Sequence, residues 1–257
     1  MHNAPAEHER QILDQFTKQA EPFARAPSHS TEESLRVLLE TAEVAPEDEV
    51  LDVACGPGIV ACAMAEIARQ VTGLDVVPAM LDQARQLQQR KQLSNVNWQL
   101  GKADALPFDN DSFSLVVTRY SFHHLLEPKA ALAEMKRVCR THGRVVVADV
   151  TPEAALADHF DQLERLRDPS HTHALPVAEL LRMGEALGLR LHEKAAYRLD
   201  VSVDELLAGS FPPEANAERY RHSVRADIGV NRLSIEAYES DGALRFRFPI
   251  SVVAWLK

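Results

Sequence analysis

The sequence predicts an α/β fold, a mostly parallel sheet with helices on both faces, and three observations carry that prediction. The first is the run Val50-Leu51-Asp52-Val53-Ala54-Cys55-Gly56-Pro57-Gly58 followed by Ile59 to Ala68, which reads as strand, tight turn and small-residue helix. Two glycines one residue apart let the backbone turn sharply and expose its N–H groups. Ala61, the third small position of a G-x-G-x-x-A pattern, lets the helix sit close to the strand. The second is another apolar run, Val71-Thr72-Gly73-Leu74, that ends in Asp75, where an acid at a strand tip can hold a ribose hydroxyl pair. The third is the alternation of short apolar runs with helical periodicity between residues 49 and 150. Together they point to an adenosine-type ligand.

In chain order, residues 1–10 are polar and are expected to fray. Ile12, Leu13, Phe16, Ala20 and Phe23 recur at helical spacing, and Pro22 and Pro27 are expected to break that helix before a loop at Pro27-Ser28-His29-Ser30. A second helix follows, capped by Thr31, with Glu32 and Glu33 in its first turn and Leu35, Leu38 and Leu39 along it. Strands are expected at about 49–54, 71–75, 96–100, 114–119 and 144–150. Helices are expected at about 58–69, from Pro78 through Leu87, and from Pro128 to Val138 ahead of a Thr141-His142-Gly143 turn. Right-handed crossovers place the ligand at the carboxyl ends of strands one, two and four. Beyond residue 150, helices are expected at Leu156–Leu166, Pro176–Leu187 with Gly188 as C-cap, Val203–Leu207 and Glu214–Val224, and a strand at Leu189–Leu199. Pro249 interrupts the apolar stretch from Leu244 to Leu256 and predicts a bulged or edge strand there. The whole chain, 1–257, reads as one domain: a helical cap (1–45), a ligand-binding core (46–150) and a C-terminal part (151–257) whose helical insertions roof the ligand site.

The chain has 257 residues and a formal charge of −10, with acidic residues spread along it. That size supports one well-buried core, and that charge argues against general nucleic-acid or anionic-membrane binding. Cys55, Cys62 and Cys139 lack C-x-x-C spacing, so neither a disulfide framework nor a metal knuckle is expected, and Cys55 and Cys62 read as buried packing residues. The first thirty residues carry no apolar signal core and no run reaches transmembrane length, so a cytoplasmic protein is expected.

Asp52 stands inside the first strand, two residues before the turn. A carboxylate there suits an ammonium and repels a pyrophosphate. Asp104, in Gly101-Lys102-Ala103-Asp104-Ala105-Leu106-Pro107-Phe108, can accept an adenine amine while the Ala105 N–H meets a ring nitrogen. Thr118-Arg119-Tyr120-Ser121-Phe122-His123-His124-Leu125 ends the fourth strand in a polar-aromatic cluster. Leu51–Gly58, Gly73–Met80, Lys102–Phe108 and Ser112–Leu125, in this order and spacing, resemble the class I S-adenosylmethionine-dependent methyltransferases. The branch most similar is that of the ubiquinone and menaquinone biosynthesis methyltransferases. The resemblance spans residues 45–150, and Gln15-Phe16-Thr17-Lys18-Gln19-Ala20 with Phe23 resembles that branch's capping helix.

The resemblance implies a Rossmann-like, seven-stranded sheet whose last strand is antiparallel. It also implies S-adenosylmethionine as cofactor and S-adenosylhomocysteine as product. Ala54, Gly56 and Gly58 would line the methionine part, Asp52 would orient its amino group, and the Arg119 backbone would meet it. Asp75 would hold the ribose, Val76 and Met80 would lie against the adenine, and Asp104 and Ala105 would read its edge. The acceptor is then a small molecule with a carbon, oxygen, sulfur or nitrogen nucleophile, and no metal is expected. No N/D/S-P-P-Y/F motif follows strand four, which with the acidic charge disfavours a flipped nucleic-acid base. Candidate bases are His29, Tyr120 and His124, with His123, His171 and His173 as further possibilities; the last two read as solvated loop histidines. Phe16, Phe23, His29 and Tyr120 are candidate acceptor contacts. A monomer or homodimer is expected. Two rival readings stay open: a protein of this fold that binds the cofactor without transferring methyl, and a nicotinamide-dependent oxidoreductase.

Overall fold

The computed structural model describes residues 4–25 and 32–257. Thr31, the expected cap of the second helix, His29 and the Pro27–Ser30 loop lie outside them. Helices α1 (Ala4–Arg25) and α2 (Glu32–Ala42) precede the sheet. The core then runs β1 (Glu49–Val53), α3 (Ile59–Ala65), β2 (Gln70–Asp75), α4 (Pro78–Arg90), β3 (Val96–Leu100) and β4 (Phe113–Arg119), followed by a 3₁₀ turn (Phe122–His124), α5 (Pro128–Val138) and β5 (Cys139–Val150). The remainder is α6 (Ala157–Arg167), α7 (Val177–Ala186), β6 (Arg190–Ser202), α8 (Val203–Ser210), α9 (Glu214–Ala226), β7 (Tyr238–Ser240) and β8 (Ala243–Leu256).

The sheet order is β3-β2-β1-β4-β5-β8-β6, with the short β7 added on β8. The first five strands are mutually parallel, and β8 runs antiparallel between β5 and β6. Central strands covered on both faces must be apolar on both, and Val50–Val53 and Val145–Val150 are buried throughout. Alternation divides them: Val50, Val146 and Ala148 join one core, Leu51, Val53, Val145 and Val147 the other. The helices supply matching stripes, as Ala131, Leu132, Met135 and Val138 do on α5. Trp98 explains two glycines. A side chain on Gly73, its partner in the neighbouring strand, would come within 2.4 Å of the indole, and one on Gly58 within 2.6 Å. Gly58 also has φ 79°, a left-handed conformation that disfavours any Cβ.

Four local expectations are corrected. Residues 4–10 are helical, because α1 is tied down by His8 Nε2 to the His124 carbonyl oxygen (2.7 Å) and by the Glu9–Lys102 ion pair (2.7 Å). Pro22 does not end α1; it stands in the last turn, where a lost N–H removes one bond only, and its ring packs near Gly209 of α8. The Thr141–Gly143 turn is instead an irregularity within β5, with His142 at φ 64° where the β4–β5 register shifts. Pro249 lies in an uninterrupted β8 flanked on both sides. Its carbonyl accepts from Thr151 N (2.8 Å), so its missing N–H faces the same side, where β5 has ended at the Val150–Ile250 pair, and the β6 side loses nothing.

Gly58→Ala is expected to lower the unfolding free energy by about 1–3 kcal/mol, through overpacking against Trp98 and the left-handed backbone. Urea denaturation of the purified variant measures it.

Candidate functional site

The carboxyl ends of β1, β2 and β4 open onto a cavity of about 490 Å³. The sheet register brings these ends level, since Asp52 pairs with Gly73 on one side and Val117 on the other. After β1 the chain turns through Ala54 at φ 54° and Gly56 at φ 52°. Gly56 N donates to Asp75 Oδ2 and Val77 N to Asp75 Oδ1, both at 2.8 Å, so one carboxylate ties the turn after β1 to the turn before α4. Burial pushes the Asp75 carboxyl up, against the pull of those N–H groups.

Asp52, Ala54, Gly56, Asp75, Val76, Met80, Asp104 and Arg119 all line this cavity. Gly58 and Ala105 do not. Gly58 is turned into the packing with Trp98, and the Ala105 N–H is directed to the Lys102 carbonyl oxygen (3.4 Å), leaving Ala103 on the wall. Asp52 is 1% exposed and its Oδ2 is enclosed without a hydrogen-bond partner. Burial raises its carboxyl to about 7, opposed by the charge of Arg119. An enclosed carboxylate oxygen on a cavity wall is a seat for a cationic or N–H-bearing ligand group.

A second cavity of about 690 Å³ shares Phe16, Phe23, Tyr120 and His124 with the first. Its other walls come from α1, α6, β6, α8 and β8, among them Gln19, Glu164, Arg167, Ser202, Arg245 and Phe248. Tyr120 is held at φ 56° with its hydroxyl 2.5 Å from that of Tyr197. Of the expected acceptor and base residues, Phe16, Phe23, Tyr120 and His124 therefore meet at the junction of the two cavities.

His171 is not a solvated loop residue. Its Nε2 lies 2.7 Å from Asp161 Oδ1, His173 Nδ1 lies 2.6 Å from Oδ2, and Ala174 N donates to Oδ1, so Asp161 organises the loop. No group of metal-ligating side chains occurs among the described residues, and no helix among them is long and apolar enough to cross a membrane. Sequence reasoning missed Asp149, which receives Ser121 N (3.1 Å), Phe122 N (2.7 Å) and His123 Nδ1 (2.5 Å). Its signal was present: like Asp75, it closes an apolar strand at the carboxyl edge. It also missed Gln19 and Tyr197, for which single residues carry no such mark.

Residues 51–147 match the family described as a methyltransferase domain. The chain is 31% identical over 210 residues to the uncharacterized methyltransferase YcgJ of Bacillus subtilis, covering 80% of this chain and 83% of that one. The crystal structure of YcgJ superposes with a TM-score of 0.80 at 28% identity, over 88% of this chain and 98% of that one. The demethylmenaquinone methyltransferase of Deinococcus radiodurans is 42% identical over 108 residues, 41% of this chain and 44% of its own. The [4+2]-cyclase SpnF shares the fold, with a TM-score of 0.64 and 21% identity over 88% of this chain and 80% of that one. Similarity at this level across four-fifths of the chain, on this sheet order, establishes that the protein belongs to the class I S-adenosylmethionine-dependent methyltransferases.

Proposed function

We propose that the protein moves a methyl group from S-adenosylmethionine to a small, largely apolar acceptor, with the cofactor in the first cavity and the acceptor in the second. The observation that carries this reading is the shared wall: Phe16, Phe23, Tyr120 and His124 border both spaces, so two ligands can meet there. The cavity residues fit the cofactor. Asp52 Oδ2 offers its enclosed oxygen to the amino group of the methionine part, with Ala54, Gly56 and the Arg119 backbone around it. Asp75 keeps lone pairs for the ribose beyond its two backbone bonds, Val76 and Met80 flank the adenine, and Asp104 faces its edge. Asp52 also speaks against a nicotinamide cofactor, whose pyrophosphate it would repel.

Bound there, the cofactor supplies an already activated sulfonium methyl. The chain's own task is alignment and exclusion of water, which can be worth on the order of 7–11 kcal/mol. Helix α1 does much of this, since Phe16 and Phe23 close both cavities. Because the fold also carries a cyclase, the transfer itself rests on the paired cavities rather than on fold, and is tested directly. Calorimetric titration is expected to show micromolar binding of S-adenosylmethionine and S-adenosylhomocysteine. An acceptor screen over quinols, phenols, thiols, amines and carboxylates, read by S-adenosylhomocysteine formation (coupled hydrolysis then giving homocysteine), is expected to find turnover; cofactor binding with no turnover across it favours the binding-only reading.

Asp75→Ala is expected to weaken cofactor binding by about 1–3 kcal/mol, the scale of a charge-assisted hydrogen bond, with circular dichroism confirming the fold. Deleting residues 1–30 is expected to leave a folded core whose turnover falls about tenfold or more, since α1 aligns both ligands; steady-state kinetics on a truncated chain measure it. Asp52 gives a pH signature. Its folded pKa of about 7 lies above the unfolded value near 3.8, so the folded state binds the extra proton and this term weakens stability as pH rises from about 4 to 7, by up to about 4 kcal/mol. His124 works oppositely, because burial followed by the charge of His123 lowers it to about 3, and its term strengthens stability from about pH 3 to 6.5. Asp52→Asn isolates the first term: without cofactor, its stability advantage over the parent is expected to grow across pH 4–7 in urea titrations.

A further inference from the structure

Both arginines of the second cavity are already paired with carboxylates. Arg167 Nε donates to Glu164 Oε2 (3.2 Å) and its Nη1 to Ser210 Oγ (3.0 Å), while Arg245 Nε donates to Asp200 Oδ1 (2.7 Å). Asp168 takes the Ser170 N–H (2.9 Å) and hydroxyl (2.6 Å). Each guanidinium charge is thus already offset by a neighbouring carboxylate, and the remaining acidic groups repel an anionic ligand.

Two polar groups on the same wall are uncommitted. Gln19 is 4% exposed, and its Nε2 is enclosed without a hydrogen-bond partner. It follows Phe16 by three residues on α1, which sets the two side chains beside each other on the helix. The other group is His123. An ionised Asp149 only accepts, so across the 2.5 Å contact His123 Nδ1 is the donor, and in the neutral ring the lone pair is on Nε2. That nitrogen makes no hydrogen bond to another described residue, and His123 lines the second cavity. Asp149 is itself fixed by the Ser121, Phe122 and Val150 N–H groups, so the imidazole is oriented from the end of β5.

We propose that His123, oriented by Asp149, is the general base of the acceptor cavity and that Gln19 donates a hydrogen bond to the same uncharged acceptor. The inference rests on reading the second cavity as the acceptor site. In the step it describes, the acceptor's X–H bond breaks, the proton passes to His123 Nε2, and the electron pair stays on the acceptor heteroatom as the nucleophile. The imidazolium formed is offset by the Asp149 carboxylate, and the Gln19 amide stabilises the anion until its electron pair takes the methyl carbon, the S–C pair returning to sulfur; His123 then gives the proton up to solvent. His123 suits this better than its neighbour. Burial alone would depress its ring, but the Asp149 charge and hydrogen bond, with Glu164 adding to them against Arg167, hold it above the usual histidine value. His124 is kept neutral and weakly basic, with its Nδ1 directed at the Ser170 carbonyl oxygen (3.2 Å). Of the two adjacent histidines among the candidate bases, His124 is thus the less suited, and Asp149 is a positioning residue.

The experiment uses 4-nitrophenol as probe, because its absorbance distinguishes phenol from phenolate, on full-length protein saturated with S-adenosylhomocysteine. At a pH where the free probe is mostly neutral, the bound probe is expected to show the phenolate band, and 4-nitrobenzoate is expected not to bind. His123→Gln is expected to retain the probe but lose the phenolate signal about tenfold, and Gln19→Leu to weaken probe binding about tenfold. In ¹⁵N spectra of the imidazoles, Asp149→Asn is expected to lower the pH at which His123 titrates, with Glu164, Arg167, His124 and His171 unchanged around it. A bound probe that stays neutral in the parent protein, a phenolate band undiminished in His123→Gln, or preferential binding of 4-nitrobenzoate overturns the proposal without any variant having to fold in the first and last cases. Failure of S-adenosylhomocysteine to bind the same sample overturns the cofactor reading and this inference with it, whereas its binding without probe binding overturns this inference alone.

Discussion

The Asp75 carboxylate joins two turns that would otherwise be set independently. One of its oxygens receives the Gly56 N–H from the turn after β1 and the other receives Val77 N–H from the turn before α4. Burying a carboxylate is costly, and those two N–H groups offset part of the cost. The clamp fixes how Ala54 and Gly56 are presented, where Met80 of α4 stands, and how far Asp52, one strand over, lies from both. The backbone strain at Ala54 and Tyr120, each with a positive φ at the end of a strand, is carried by the same rigid floor. Asp149 repeats the device one layer along the sheet, where it anchors the turn that presents His123.

Helix α1 stands apart from this floor. Its apolar residues Ala20, Ile12, Leu13, Phe16 and Phe23 form a small cluster with Val77 and Met80, separate from the two cores that pack on the sheet. Polar contacts add His8 to the His124 carbonyl oxygen, Glu9 to Lys102, and Gln15 Nε2 to the Ser210 carbonyl oxygen (2.8 Å). An element held by a small cluster and a few polar contacts costs less to lift than a sheet strand does. Phe16 and Phe23 of α1 line both cavities, so the seating of this one small cluster bears on the shape of both spaces.

The sheet and its helices were legible because periodicity and strand-end acids are local signals. Asp52 and Asp75 announce themselves as charges interrupting or closing apolar runs. Where local rules failed, a distant neighbour decided. Pro22 stays helical because α8 receives it, residues 4–10 are ordered because His124 and Lys102 bind them, and His171 is buried because Asp161, ten residues away on a different element, collects it. Gly58 packs against Trp98, which arrives from β3 forty residues later and which the glycine motif by itself does not reveal. The His123–Asp149 pair unites a turn after β4 with the end of β5, a proximity that only the strand order β1-β4-β5 creates.

Pro249 shows why the first cavity reads from the sequence and the second does not. The β5–β8 ladder stops at Val150–Ile250, but the β6–β8 ladder continues to Ser202–Arg245, so these two strands overhang the sheet as a pair. That overhang supplies Leu199 to Ser202, Arg245 and Phe248 to the wall of the second cavity. Proline is tolerated at 249 because it stands where β8 leaves its β5 partner, at the boundary between the sheet and the overhang. The matched family region, residues 51–147, ends before this boundary and begins after α1. It therefore contains the clamp, the turn and Asp52. The walls of the second cavity come largely from segments outside it, α1 and the overhang, which can change shape without disturbing the clamp, so likeness across the matched core bears on the first cavity and leaves the second to be read from this chain's own α1, β6 and β8.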